Sequence, residues 1–446
     1  MFVLFLKECK TICKSIIYLV FICAIVLFYT SQMGEEIKSD IKQYYTNEEY
    51  YTGSLLQNPL IKPLENAESY GNKYVEIPEI IMPEAVSSLV IDWKQNNYRK
   101  YNFIGMGREI NLNEKKQAEI AKIIFDITGI EADELYNRVL EIRVQYVGND
   151  GITHWQDIDF KEIVPIKITY DEYKNKVKQI DKILGGMYGE TGLQSMEREN
   201  VPVTYEEKLT EYNAFISEDK ITGAYARYFC DYMGIVAGML SVFVPAAFLM
   251  RDKRAKVNEI IFSRHISSTK FILTRYIALI FMMTLPFLLL SLIPSVQLIE
   301  FALKNNMSVD IFAFFKYIFA WILPTIMTTT AVALIITTVA DNPIAIVVQF
   351  GWSFLNLLTG FSGAVVNGFG QLINYRMNLI IRHNSVSNFQ VYKDNLTQLT
   401  FNRIFYTVLS MILVVLTIFI YERKRKGEID VFGGLRKIFR NRKSTG

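Results

Sequence analysis

Cysteine is scarce in this chain of 446 residues: Cys9, Cys13, Cys23 and Cys230 are all there are, and the hydrophilic stretch from 33 to 225 has none. That excludes a disulfide framework there and leaves no zinc spacing anywhere. Cys9 and Cys13 share a helical face and, without further ligands nearby, read as small apolar residues. The three histidines, His154, His265 and His383, stand far apart and form no motif. No G-x-x-x-x-G-K-[ST] loop occurs, so no P-loop binds a nucleotide in this chain. Nor is there a G-x-S-x-G, an H-E-x-x-H or a clustered Asp/His set. The expectation is a protein without catalytic, cofactor or metal residues of its own, and without a nucleic-acid partner.

What is present is apolar sequence. Hydrophobic residues make up 51% of the chain and charged residues 21%, a mixture natural for lipid-facing helices alternating with an aqueous domain. Six segments are long and apolar enough to cross a bilayer as helices: roughly 14–32, 228–250, 271–297, 311–339, 343–363 and 403–421. The first has two readings, the core of a secretory signal peptide or a retained helix. The absence of a small-x-small cleavage site in "TSQMGEE" favours retention. Before it, Phe2, Phe5, Leu6, Cys9, Ile12 and Cys13 fall on one helical stripe, with Lys7, Glu8 and Lys10 off it. Residues 1–13 read as a cytoplasmic amphipathic helix lying at the interface, or as an extension of the first span.

Basic residues near the spans concentrate at Lys7 to Lys14, Arg251 to Arg275 and the tail from Glu422. With six spans all three fall on one side, which the positive-inside rule makes cytoplasmic, with both termini. The loops 298–310 and 364–402 then lie outside, and 33–225 is an extracytoplasmic domain long enough to bury its own core. In it, "VLEIRVQYV" alternates Leu140, Ile142, Val144 and Tyr146 with polar residues, a half-buried strand. Thr169/Glu172 and Thr204/Glu207 have the spacing of helix capping boxes. The fold class expected is an α-helical polytopic membrane protein of six spans, with a mixed α/β extracytoplasmic domain between helices 1 and 2. Spans 2–6 occupy 226–421, with a cytoplasmic loop at 251–270 and a basic tail at 422–446. The tail reads as an anchor on anionic lipid or as a solvated end.

Charged residues within the spans are few. Arg227, Asp231 and Lys316 sit near outer ends, where long side chains snorkel. In the fifth span Gln349, Ser353, Asn356 and Gly360 are spaced by four, three and four and line one face. Such a face requires another helix or a wet path, so it reads as helix packing, a translocation path or a subunit interface. In "RDKRAKVNEIIFSRHISSTKFILTRY", Val257, Ile260 and Ile261 form the apolar face of a short helix among Arg251, Lys253, Arg254, Lys256 and Arg264. Ser267 or Ser268 caps the helix that follows. The stretch is either a plain topogenic loop or a helix coupled to a soluble partner.

With Glu259-Ile260-Ile261-Phe262-Ser263, Ser267-Ser268-Thr269-Lys270 and Arg275, this layout resembles the permease subunits of ABC exporters of the second type. "ITGAYARYFCDYMGIVAG" looks like the junction into span two of a clostridial-type subgroup. The proline often found between the two loop motifs is absent here; His265 and Ile266 stand in that region. The resemblance implies a separate ABC ATPase subunit, which binds ATP and Mg, docking on Val257, Glu259, Ile260, Ile261 and Arg264. It implies a second permease chain, in a homodimer or a heterodimer, with Gln349, Ser353 and Asn356 at the path or the interface. The location implied is the cell membrane, and the Lys/Ile/Asn-rich composition suggests a Gram-positive bacterium. Two alternatives stand: an ABC-type mechanotransmission complex acting on the envelope through the outer domain, and a polytopic receptor or enzyme without an ATPase.

Overall fold

The computed structural model describes residues 2–46, 58–67, 69–75, 77–101, 107–145, 160–185, 199–255, 266–340, 342–366, 378–383, 385–387 and 389–428. The chain divides into two compact units. One comprises Met1–Glu65 with Tyr205–Gly446, and the other is Asn66–Thr204. Residues 33–65 and 205–225 therefore cluster with the apolar helices, and the inserted unit is shorter than the 33–225 expected.

Along the chain, α1 (Phe2–Cys13) ends where Ser15 turns extended, and α2 (Ile16–Thr46) follows as one 31-residue helix with a π-helical turn at Thr30–Gly34. The inserted unit holds β1 (Asn72–Val75), α3 (Pro78–Gln95), β2 (Tyr98–Tyr101), β3 (Gly107–Ile110), α4 (Glu114–Thr128), α5 (Ala132–Gln145), α6 (Tyr170–Leu184) and β4 (Glu199–Pro202). Then come α7 (Tyr205–Arg251), α8 (Ser268–Lys304), α9 (Ala313–Ala340), α10 (Ile344–Val366), α11 (Phe389–Asp394) and α12 (Leu396–Arg425). Among the described residues α2, α7, α8, α9 and α12 are long and apolar enough to cross a membrane, and α10 contributes a shorter apolar run, Ile344–Leu357. The chain is thus of the helical, polytopic membrane type, with five such helices among the described residues; the span expected over 343–363 falls on α10.

In the inserted unit the strands form two small antiparallel ladders, β1 with β4 and β2 with β3. Its core is helical. Tyr173, Val177, Ile180 and Leu184 of α6 are spaced by four, three and four and are all buried, facing Ile120, Ile124 and Ile127 of α4. Thr169 caps α6 by accepting from the Glu172 N–H, while the Glu172 carboxylate accepts from the Thr169 N–H at 2.9 Å, the expected capping box. Gly129 ends α4 at φ +70°, and a Cβ there would strike the Lys167 side chain.

"VLEIRVQ" lies in α5, not in a strand. The helix buries Leu135 and Val139 completely and leaves Leu140 43% exposed. The i, i+4, i+7 stripe of Leu135, Val139 and Ile142 prevailed over the two-residue alternation, because the helical core offered that face its partners.

In the helical unit, long apolar side chains remain outside: Phe281, Leu289, Leu292 and Val296 of α8, and Ile404, Met411, Val415 and Phe419 of α12. Apolar residues on the outer as well as the inner face mark helices that meet lipid. Of the apolar stripe of α1, Phe2 and Leu6 are exposed and Ile12 is buried; Glu8, off the stripe, is buried too and pairs with Arg275 of α8 at 3.3 Å. Arg275 also stacks over Phe271. Ser267 caps α8 through the Lys270 N–H, as its position predicts.

Candidate functional site

The interior of the helical unit is not uniformly apolar. Arg227 and Asp231, one turn apart on α7, are fully buried rather than snorkelling. Arg227 Nη1 donates to both carboxylate oxygens of Asp219, at 3.0 and 2.8 Å, and Nη2 donates to the Val386 carbonyl. Asp231 accepts from Arg382 Nε at 3.1 Å and from the His383 N–H at 2.9 Å. Opposite charges joined by hydrogen bonds are what make such burial tolerable.

Asp219 closes a π-helical turn, Phe215–Asp219, after which Lys220 sits at φ +60°. A non-glycine residue in that region costs of order 1–3 kcal/mol and persists only where neighbours hold it. Here the Asp219–Arg227 pair spans the bend.

Both ion pairs serve a segment without regular structure, described over 378–383 and 385–387. It belongs to the 364–402 stretch that the sequence reads as a loop, and Leu379, Ile380, Ile381, Arg382 and His383 are all buried in the helical unit. The Leu379 N–H donates to Asn356 Oδ1 of α10, and its carbonyl accepts from Arg403 of α12 at 3.1 Å. The Asn378 carbonyl accepts from Asn402. Ile380 packs so close to Gly238 of α7 that a Cβ there would lie 2.5 Å from Ile380 Cγ1. Asn356 lies twelve residues into α10, about 18 Å along it. Irregular backbone at that depth survives only when its polar groups are met by protein, and here Asn, Arg and Asp side chains meet them.

Arg403 is the fifth charge of this belt. Its Nη1 donates to the Trp321 carbonyl at 3.1 Å and to Thr325 Oγ1 at 3.0 Å; Nε and Nη2 reach Asn402 Oδ1, and Nη2 the Leu379 carbonyl. Trp321 belongs to another π-helical turn, Ile318–Ile322. Every acceptor is neutral. Among the described residues no carboxylate comes within ion-pair distance of Arg403.

Gln349, Ser353 and Asn356 are buried and bonded within the chain. Gln349 Nε2 and Ser353 Oγ both donate to the Gly238 carbonyl, at 3.2 and 2.7 Å, and Asn356 holds Leu379. Only Gln349 Oε1 lacks a partner among them. Val257, Glu259, Ile260, Ile261 and Arg264 lie outside the described residues. The chain just after their loop is braced: Arg425 of α12 donates to the Ile266 carbonyl at 2.7 Å, and Glu8 of α1 pairs with Arg275, two turns into α8. The belt itself went unread in the sequence. Asp231 and Arg382 are 151 residues apart, and the one legible signal was charge inside apolar segments.

Compared with known proteins, the chain matches no family model, no curated protein and no solved structure.

Proposed function

We propose that this chain is the membrane-spanning permease subunit of an ATP-driven ABC-type exporter, powered by a separate ATPase and paired with a second permease chain. The observation that carries the reading is the bracing of the basic loop. Where the chain leaves the loop, the basic end of α12 holds Ile266 and the buried Glu8 of α1 holds Arg275. A push delivered between residues 256 and 265 would pass into α1, α8 and α12 together. The test is affinity purification of the tagged chain from native membranes, with Ile260→Asp plus Ile261→Asp as comparison. A P-loop ATPase that accompanies the wild type and is lost from the double variant supports the reading. Its absence from both removes the engine.

The mechanotransmission variant of this reading has its own support. The helices flanking the insertion, α2 with 31 residues and α7 with 47, far exceed the ~20 needed to span a bilayer. Both would carry a tilt beyond the membrane. Stimulation of ATP hydrolysis by a solute would favour export, and its indifference to solutes would favour the mechanical role.

A further inference from the structure

Beside the polar belt, a cleft of about 370 Å³ opens between the first turns of α9 and of α12. Its mouth is apolar and exposed: Phe319 is 41%, Ile404 57% and Val408 49% accessible. Trp321 and Pro324 line it deeper, with Tyr317 and Tyr392 around it, and Arg403 is the sole charged side chain lining it. All five guanidinium N–H groups already donate to neutral oxygens. The charge is therefore fixed in place, its hydrogen bonds are met, and among the described residues no carboxylate pairs with it. An uncompensated cation in a low-dielectric wall attracts an anion strongly.

Depth decides which anion. On α12 nineteen residues separate Arg403 from Glu422, where the charged end begins, about 28 Å at the helical rise. A bilayer's hydrocarbon core is about 30 Å thick. With the charged end at one headgroup layer, Arg403 stands at the other, and the tyrosine and tryptophan rings around the cleft sit where aromatic belts form. The apolar mouth then faces acyl chains.

We propose that this cleft holds one anionic phospholipid of the surrounding bilayer, with its acyl chain along Ile404 and Val408 and its headgroup beside Arg403. The headgroup is held by charge and takes no hydrogen bond from the clamp. This site does not depend on the ATP-driven reading; it needs only that the helices cross a bilayer.

The test is native mass spectrometry of the full chain in detergent, titrated with phosphatidylglycerol or phosphatidylcholine of the same chain length. The expected result is one tightly retained phosphatidylglycerol, preferred about fivefold, the share of one basic residue at an anionic surface. Thr400→Glu puts a carboxylate at an exposed position one turn before Arg403, leaves the clamp untouched, and brings the ratio near one. Arg403→Gln does the same, and Arg403→Lys restores the preference. Equal retention of both lipids by the wild type overturns the proposal. So does a preference that survives in folded Thr400→Glu protein, which would put the anionic lipid elsewhere.

Discussion

Replacing Asp231 with alanine removes the one carboxylate that faces both Arg382 and the His383 N–H, at 3.1 and 2.9 Å. Arg382 is 2% exposed at its side chain and Asp231 not at all, so neither can turn to water. Leaving one partner of a buried pair uncompensated costs about 3–5 kcal/mol. Arg382→Leu, which strands Asp231 instead, falls in the same range. The double variant removes both charges, and its loss should be far smaller than the sum, a coupling of about 2–3 kcal/mol between the sites. Equilibrium unfolding of the purified chain in mixed detergent micelles, at matched protein concentration, reads all three differences. Single variants that each lose less than about 1 kcal/mol, or a double variant that simply adds the two losses, would refute the argument that these charges hold the return segment by their pairing.

Gly238→Ala should cost about 1–3 kcal/mol by overpacking, because the added Cβ meets Ile380 at 2.5 and 2.7 Å. The same unfolding assay should show Ile380→Ala in that background recovering part of the loss. In the inserted unit, Thr169→Ala deletes the cap of α6 and should destabilise it by about 1 kcal/mol, read as faster amide exchange over its first turn in the full chain. Hydrogen bonds from the Thr169 backbone and side chain hold the Glu172 carboxyl below its ordinary pKa. Its stabilisation is therefore complete above the unfolded value, near 4.3, and is lost as pH falls through the lower folded value. The protection factor at the α6 start, taken relative to the intrinsic exchange rate at each pH, should fall on acidification in the wild type and lose that component in Glu172→Gln.

Local signals were legible where their cause is local. Ser267 before α8 and Thr169 before α6 announce helix starts because a hydroxyl reaches an amide three residues on. The apolar runs announce the long helices because bilayer thickness sets their length. Leu140 and Ile142 misled because Ile142 belongs at once to that alternation and to the helical stripe with Leu135 and Val139, and only the Ile120 to Ile127 face of α4 decides between the two. Glu8 was legible only as off the apolar stripe of α1; its partner Arg275, 267 residues away, was not. Gln349, Ser353 and Asn356 were legible as one polar face, and their partners, Gly238 and Leu379, were not.

The distance in sequence between Asp231 and Arg382 has a consequence for how the chain is made. They are 151 residues apart, so at about 5–20 residues per second the ribosome delivers the acid roughly 8–30 s before its base. Throughout that interval α7 holds its carboxylate without Arg382 and without the His383 N–H. A nascent chain that stops before residue 382 never receives that arginine, so this link between α7 and the late irregular segment is made only when synthesis is nearly complete.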